Sequence, residues 1–258
     1  MLFYVDFFHV SCRETLCTCF CFCLYVFGVF SFNFDLTCLI SLKSYFFHSN
    51  ISQGKVYAEL TVTNIDDSKF ILFTGSGSEG HDLRWLETQA RAGHWNVVID
   101  NVTDQIAVLG LAGPRSRDIL AKLMPLEDVS HAGWPFMRYK ETLLAGIPCA
   151  ATRISYSGEL GWEICASFHD MPQIYFALKD AGAEFGGVKD FGAYAMNSMR
   201  LEKGFRGWGA EMNVDTNPLE AGLGTFVKLN KKADFIGEIP RVVSPGFFLA
   251  FLFRFVFS

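Results

Sequence analysis

From Lys55 to Thr63 the chain alternates as KVYAELTVT, with Val56, Ala58, Leu60 and Val62 on one face and Tyr57, Glu59 and Thr61 on the other. That is the period of a half-buried strand. A polar turn and a second apolar run, Lys69–Thr74, complete a predicted hairpin. A helical pattern over His81–Ala92 and strands over Trp95–Ile99 and Gln105–Ala112 follow. PRSRDILAKL reads as a helix opened by Pro114, with Ile119, Leu120 and Leu123 as its core stripe. Pro148 leads into a strand that continues into Arg153–Glu163, RISYSGELGWE, read as strand, tight turn and strand. Asp170 and Pro172 then mark the start of a helix with Ile174, Phe176 and Leu178 inside, ended by Gly186-Gly187. From Asp190 another helix is expected, with Ala195, Met199 and Leu201 inward and Gly204 just past its end. Residues 207–224 are dense in turn formers, and Thr216-Asn217-Pro218 resembles a cap before a short helix.

The ends break this regularity. Residues 1–50 are rich in Phe, Leu, Ser and Cys and hold six of the eight cysteines; from Pro245 the chain becomes Phe-rich again. The expected organisation is therefore an apolar segment 1–50, a domain 51–240 and an apolar tail 241–258. Thr15–Phe34 carries no formal charge and has about the ~20 residues that a membrane span needs. Against a span, CTCFCFC is a poor helix former, and Arg13 is cancelled by Glu14, leaving no positive flank. Thymine-rich codons encode Phe, Ser, Leu and Cys alike, so both ends also read as translated intron-like sequence. The cysteines follow C-x-C-x-C-x-C, without the paired spacing that closes a zinc tetrahedron. No Arg-rich, acid-poor transit peptide is recognisable. The net charge of −5 and pI ≈ 5.7 carry no nucleic-acid footprint.

Two stretches hold candidate chemistry. Gly75–Gly80, GSGSEG, matches a dinucleotide fingerprint, with Asp100 about twenty residues on. Glu79 sits where a pyrophosphate would need backbone N–H groups and no negative charge. The preceding strand also belongs to a hairpin, which suits an antiparallel sheet and not a parallel βαβ start. The second stretch is RISYSGELGWE, which gathers Tyr156, Glu159 and Glu163 near one bend. A carboxylate beside an aromatic ring receives a flat, nitrogen-rich heterocycle well, accepting paired N–H bonds while the ring covers a face. The same residues also fit a surface hairpin with solvated glutamates. Likewise Arg200 and Glu202 fit either a functional pair or a solvated helix face.

GKVYAELTV, TGSGSEGHDLRWLE, RISYSGELGWE, AMNSMRLEKGFRGWGAEMNVDTNPLEAGL and FVKLNKKADFIG, in this order, resemble the tetrahydrofolate-binding portion of the dimethylglycine dehydrogenases. That portion belongs to the aminomethyltransferase (glycine-cleavage T-protein) superfamily, and the resemblance runs from Gly54 to Gly237. It implies an α+β fold, part of a three-lobed folate-binding structure with mainly antiparallel sheets flanked by helices. It implies tetrahydrofolate as the one-carbon acceptor, Tyr156 and Glu163 against the pterin, and Glu59 as the catalytic acid positioned near the reacting nitrogens. T-proteins carry Asp where this chain has Glu59, and a folate-contacting arginine aligns with Met196. No flavin (FAD) site precedes Gly54, so an incomplete fragment is expected, with dimethylglycine oxidation excluded for this chain alone. The implied location is the mitochondrial matrix.

Three functions follow: a folate-dependent one-carbon (aminomethyl) transfer domain, a non-catalytic regulatory relative of the same superfamily, and an NAD-binding dehydrogenase fragment using GSGSEG. Glu79 argues against the last. The small-molecule partner expected is a folate; a membrane enters only if residues 15–34 span one.

Overall fold

A computed structural model of the chain describes residues 2–3, 5–12, 55–66 and 68–224, with the first two stretches and Ser76 given as backbone alone. The Thr15–Phe34 span and the Phe-rich tail lie outside the described residues. Among the described residues nine strands form two sheets, and every strand pair within them is antiparallel. The first has the order β1-β6-β9-β8-β7 (Leu2–Phe3, Ile106–Ala112, Gly161–Ser167, Ile147–Thr152, Tyr139–Leu144). The second has the order β3-β4-β2-β5 (Leu60–Asp66, Lys69–Gly75, Val5–Cys12, Val97–Asn101). Residues 2–12 thus contribute a strand to each sheet, β2 lying between β4 and β5.

Alternation decides what each face touches. Leu60, Val62, Phe70 and Leu72 turn toward α1 (Glu79–Ala92) and pack with its Trp85 and Leu86. Ile71 and Phe73, on the opposite face, meet Val108 and Cys165 of the first sheet, so the two sheets join face to face. The far face of the first sheet carries the largest core. There Leu109, Leu111, Trp162 and Ile164 pack under α2 (Ser116–Leu123) and α3 (Met171–Gly182). The result is the expected α+β arrangement, two antiparallel sheets with helices outside.

Several local expectations are corrected. The Lys55 strand begins only at Leu60; 55–59 is instead tied to a later loop, Val56 N–H donating to the Thr216 carbonyl at 2.8 Å. The helix expected from Pro114 begins at Ser116, whose Oγ donates to the carbonyls of Gly113 (2.6 Å) and Leu160 (3.0 Å). Phe176 lies on the outer side of α3, 62% exposed, while Ile174 and Leu178 are buried as expected. In α4 (Ala193–Glu202) the inward residues are Met196 and Arg200, whereas Leu201 is 48% exposed and Ala195 is exposed. Residues 218–222 make a turn, not the expected short helix, and it is capped by Asn217, whose Oδ1 accepts from the N–H groups of Leu219 and Glu220.

Candidate functional site

The strand expected over Ile154 and Tyr156 is a loop. β8 ends at Thr152 and β9 starts at Gly161, so 153–160 is free to reach across the domain. Tyr156 uses that reach: its hydroxyl donates to the Arg206 carbonyl at 2.7 Å, and its ring lies near-parallel to that of Phe205, centroids 6.3 Å apart. The turn at Gly158 has φ +74° and faces the Lys203 side chain, a conformation and a contact that favour glycine. Lys203 Nζ also sits 3.6 Å from Glu159.

Both partners of Tyr156 belong to a loop wrapped around Arg200. This arginine is 4% exposed, so it is not part of a solvated helix face. Its Nε and Nη2 donate to Asn197 Oδ1, and its Nη1 donates to the Phe205 carbonyl (2.8 Å) and to Glu211 Oε2 (2.5 Å). Its ionic partner is Glu211 and not Glu202. Gly207 N–H donates to the same Glu211 oxygen at 2.8 Å. A side chain at Gly207 would be crowded, since a Cβ there would stand 3.1 Å from Tyr156 Oη and 3.2 Å from Arg200 Cζ.

Glu59 completes this corner. The Trp208 N–H donates to its carboxylate, and the Arg200 guanidinium also favours the charged form, yet burial dominates and pushes it up from 4.5 to about 7. Tyr156, pushed up to about 12 chiefly by burial, feels Glu59, Arg200 and Glu211. Glu59 and Tyr156 therefore share one site. Gly207, Trp208 and Glu211 belong to it too, and only the glycine density of GWGAE marked them in the sequence.

Glu163 stands on β9, held between Gly110 of β6 and Thr152 of β8. Alternation puts it on the same face as Cys165, toward the second sheet and away from the core holding Trp162 and Ile164. Gly110 opposite has no side chain. Among the described residues the Glu163 carboxyl has no hydrogen-bond partner, and burial alone pushes it up to about 7. Met196 is buried one turn from Arg200.

The GSGSEG loop enters α1, but β4 before it is antiparallel to both its neighbours, and Glu79 accepts a bond from Asn101. This is not the strand arrangement of a dinucleotide fold. Its His81 stacks on Tyr57 (4.1 Å), meets Asp82 Oδ1 at 2.9 Å and reaches within 6.4 Å of the Trp208 ring. Among the described residues no cluster of His, Cys, Asp and Glu suits a metal ion, and no helix is long and apolar enough to cross a membrane.

Comparison with known proteins agrees with this architecture. The chain is 53% identical over 191 residues to human mitochondrial dimethylglycine dehydrogenase, covering 74% of this chain and 22% of that one. It is 32% identical over 185 residues to an aminomethyltransferase of Alkaliphilus metalliredigens, covering 72% of this chain and 49% of that one. The chain thus spans less than half the length of either relative. The crystal structure of the glycine cleavage system aminomethyltransferase T from Bartonella henselae superposes with a TM-score of 0.73 at 23% identity, covering 98% of this chain and 63% of that one. Residues 47–231 match the GCVT N-terminal domain, and the chain, an aminomethyltransferase-like domain resembling dimethylglycine dehydrogenase, belongs to that family.

Proposed function

We propose that this domain binds a reduced folate between its two sheets and serves one-carbon transfer from an oxidised methylamine. The observation that carries the reading is Glu163, a carboxyl turned toward the second sheet and left without a hydrogen-bond partner among the described residues. A half-buried carboxyl in that state suits a ligand bringing N–H donors. Tetrahydrofolate, when bound, supplies the nitrogens that accept the one-carbon unit. Glu163 accepts the pterin N–H groups. Tyr156 offers its ring, since its hydroxyl is committed to the Arg206 carbonyl. Glu59, near half-protonated at neutral pH, is suited to take and return a proton beside the reacting nitrogens. Trp208 and Arg200 hold it in place.

The human relative's name places it in the mitochondrion, and we extend that location to this chain; import into isolated mitochondria tests it. Calorimetric titration of the 258-residue chain with tetrahydrofolate tests the binding. Glu163→Gln should weaken binding by roughly 1.5–3 kcal/mol, the range for a charge-assisted bond. Equal affinity for variant and parent refutes the site. A second reading, a non-catalytic relative, is favoured by one observation: Met196 stands buried where T-proteins place a folate-contacting arginine. Folate binding without one-carbon transfer, in the presence of an amine-oxidising partner domain, would select it.

A further inference from the structure

The far face of the first sheet holds a cluster that the folate reading does not use. Arg117, in the first turn of α2, lies with Cζ 5.3 Å from the Trp162 ring centroid, and Arg153, just past β8, lies 5.9 Å from the same ring. Arg117 Nη1 donates to the Val129 carbonyl. Arg153 Nη1 donates to the Trp134 carbonyl at 2.9 Å and meets His131 Nδ1 at 2.9 Å. Neither guanidinium has a carboxylate: the arginine ion pairs among the described residues are those of Arg91, Arg115 and Arg200. Asp128 feels Arg117, but its Oδ1 accepts from the Ser130 N–H at 2.9 Å. Lys140, also nearby, is paired with Glu127 at 2.7 Å and lies over the Trp134 ring.

Two donors here are orphaned. Arg153 Nε and the Trp162 Nε1 are buried without partners, and Trp162 is fully buried. Buried N–H groups almost always find an acceptor. Stacking a guanidinium on an indole uses its face and leaves its in-plane N–H fork available to an oxyanion. Two like charges sharing one ring also repel; Arg117 makes Arg153, already disfavoured as a cation by burial, harder to keep protonated. One negative ligand would answer the orphaned donors and the repulsion together.

We propose that Arg117, Arg153, His131 and the Trp162 N–H form a binding site for a small oxyanion, a phosphate or carboxylate group. The site lies on the opposite face of β9 from Glu163, so it is independent of the folate reading. His131 is exposed and both arginines are partly exposed, while Trp162 beside them is fully buried.

The test is thermal unfolding of the 258-residue chain with sodium phosphate or sodium malate, each against sodium chloride at equal ionic strength. Phosphorus NMR line broadening would be recorded in parallel for phosphate. A rise in the unfolding midpoint with phosphate alone assigns a phosphoryl ligand, and one with malate alone a carboxylate. In Arg117→Gln the midpoint titration should shift to roughly ten-fold higher anion concentration or more, as loss of a charge-assisted bond implies. Arg153→Gln risks the Trp134 and His131 contacts, so Arg117→Gln carries the test. Arg117→Gln also loses the Val129 bond and the contact with the Trp162 ring, so its anion response is read against its own anion-free midpoint. No oxyanion response beyond chloride, or an unchanged response in Arg117→Gln, would each overturn the proposal.

Discussion

Arg200 offers the sharpest stability test. Replacing it by leucine removes bonds to Asn197, the Phe205 carbonyl and Glu211, all from a side chain 4% exposed. Breaking a buried ion pair by removing one partner costs roughly 3–5 kcal/mol. Here the lower end applies, because Glu211 keeps the Gly207 N–H and its side chain is 38% exposed, so water can replace the lost charge. About 3 kcal/mol should lower the melting temperature by roughly 6–12 °C in a domain of this size. The consequence for the site is specific. The 205–211 loop loses its anchor, so Tyr156 loses its carbonyl acceptor and Glu59 its Trp208 donor. Arg200→Lys, which keeps the charge without the fork, should fall between. The assay is urea and thermal unfolding beside the exposed control Glu202→Ala, expected within about 0.5 kcal/mol of the parent. If Arg200→Leu and Glu202→Ala prove indistinguishable, Arg200 is a solvated helix residue and the argument fails.

The remaining predictions concern protons and crowding. Glu59 and Glu163 both stand near 7 in the fold against an ordinary 4.5, so between those values the native state holds protons that the unfolded chain has released. Stability should therefore be full below about pH 4.5, apart from carboxylates held low such as Glu211, and fall as pH rises to 7. Each group contributes at most about 3 kcal/mol, less for its partial exposure, and urea midpoints at pH 5 and pH 8 measure it. Glu163→Gln should flatten the profile, and a parent that gains stability over this range contradicts the sign. Folate that requires Glu163 ionised should bind more tightly as pH rises toward 7, with proton release seen as a buffer-dependent calorimetric heat. Gly207→Ala should cost about 1–3 kcal/mol by overpacking and should shift the Tyr156 ring, visible as altered aromatic NMR resonances.

What the sequence disclosed follows from what periodicity can report. The β3–β4 hairpin was legible because Leu60, Val62, Phe70 and Leu72 are buried on one side of a local alternation, whereas Val56, ahead of β3, packs with Met212 and Ala221 instead. The same reasoning misplaced α4, because it credits apolar residues with the interior. An arginine supplied with carbonyl, amide and carboxylate acceptors outcompeted Leu201 for that place. RISYSGELGWE alternates well enough to suggest a strand, yet Tyr156 is held by Arg206, fifty residues on, and Arg153 by Trp134. Long-range bonds of this kind leave no local pattern. The carboxylates themselves were findable by motif, but their burial was not: Glu59 owes its environment to Trp208 and Arg200, far along the chain.

β9 explains how one short segment can serve two opposite faces. Trp162 and Glu163 are adjacent, so the pleat sends the indole into the helix-covered core and the carboxyl toward the second sheet. A slip of one residue would exchange them, burying a carboxyl among leucines and turning a tryptophan into the space between the sheets. The strand is protected from that slip on both sides, by seven paired positions with β6 and three with β8. Gly161 fixes its start, because a Cβ there would meet the Leu111 carbonyl at 2.7 Å and Ser155 at 2.8 Å. The carboxyl facing the second sheet and the arginine-flanked indole are thus two outcomes of a single register, set by backbone contacts.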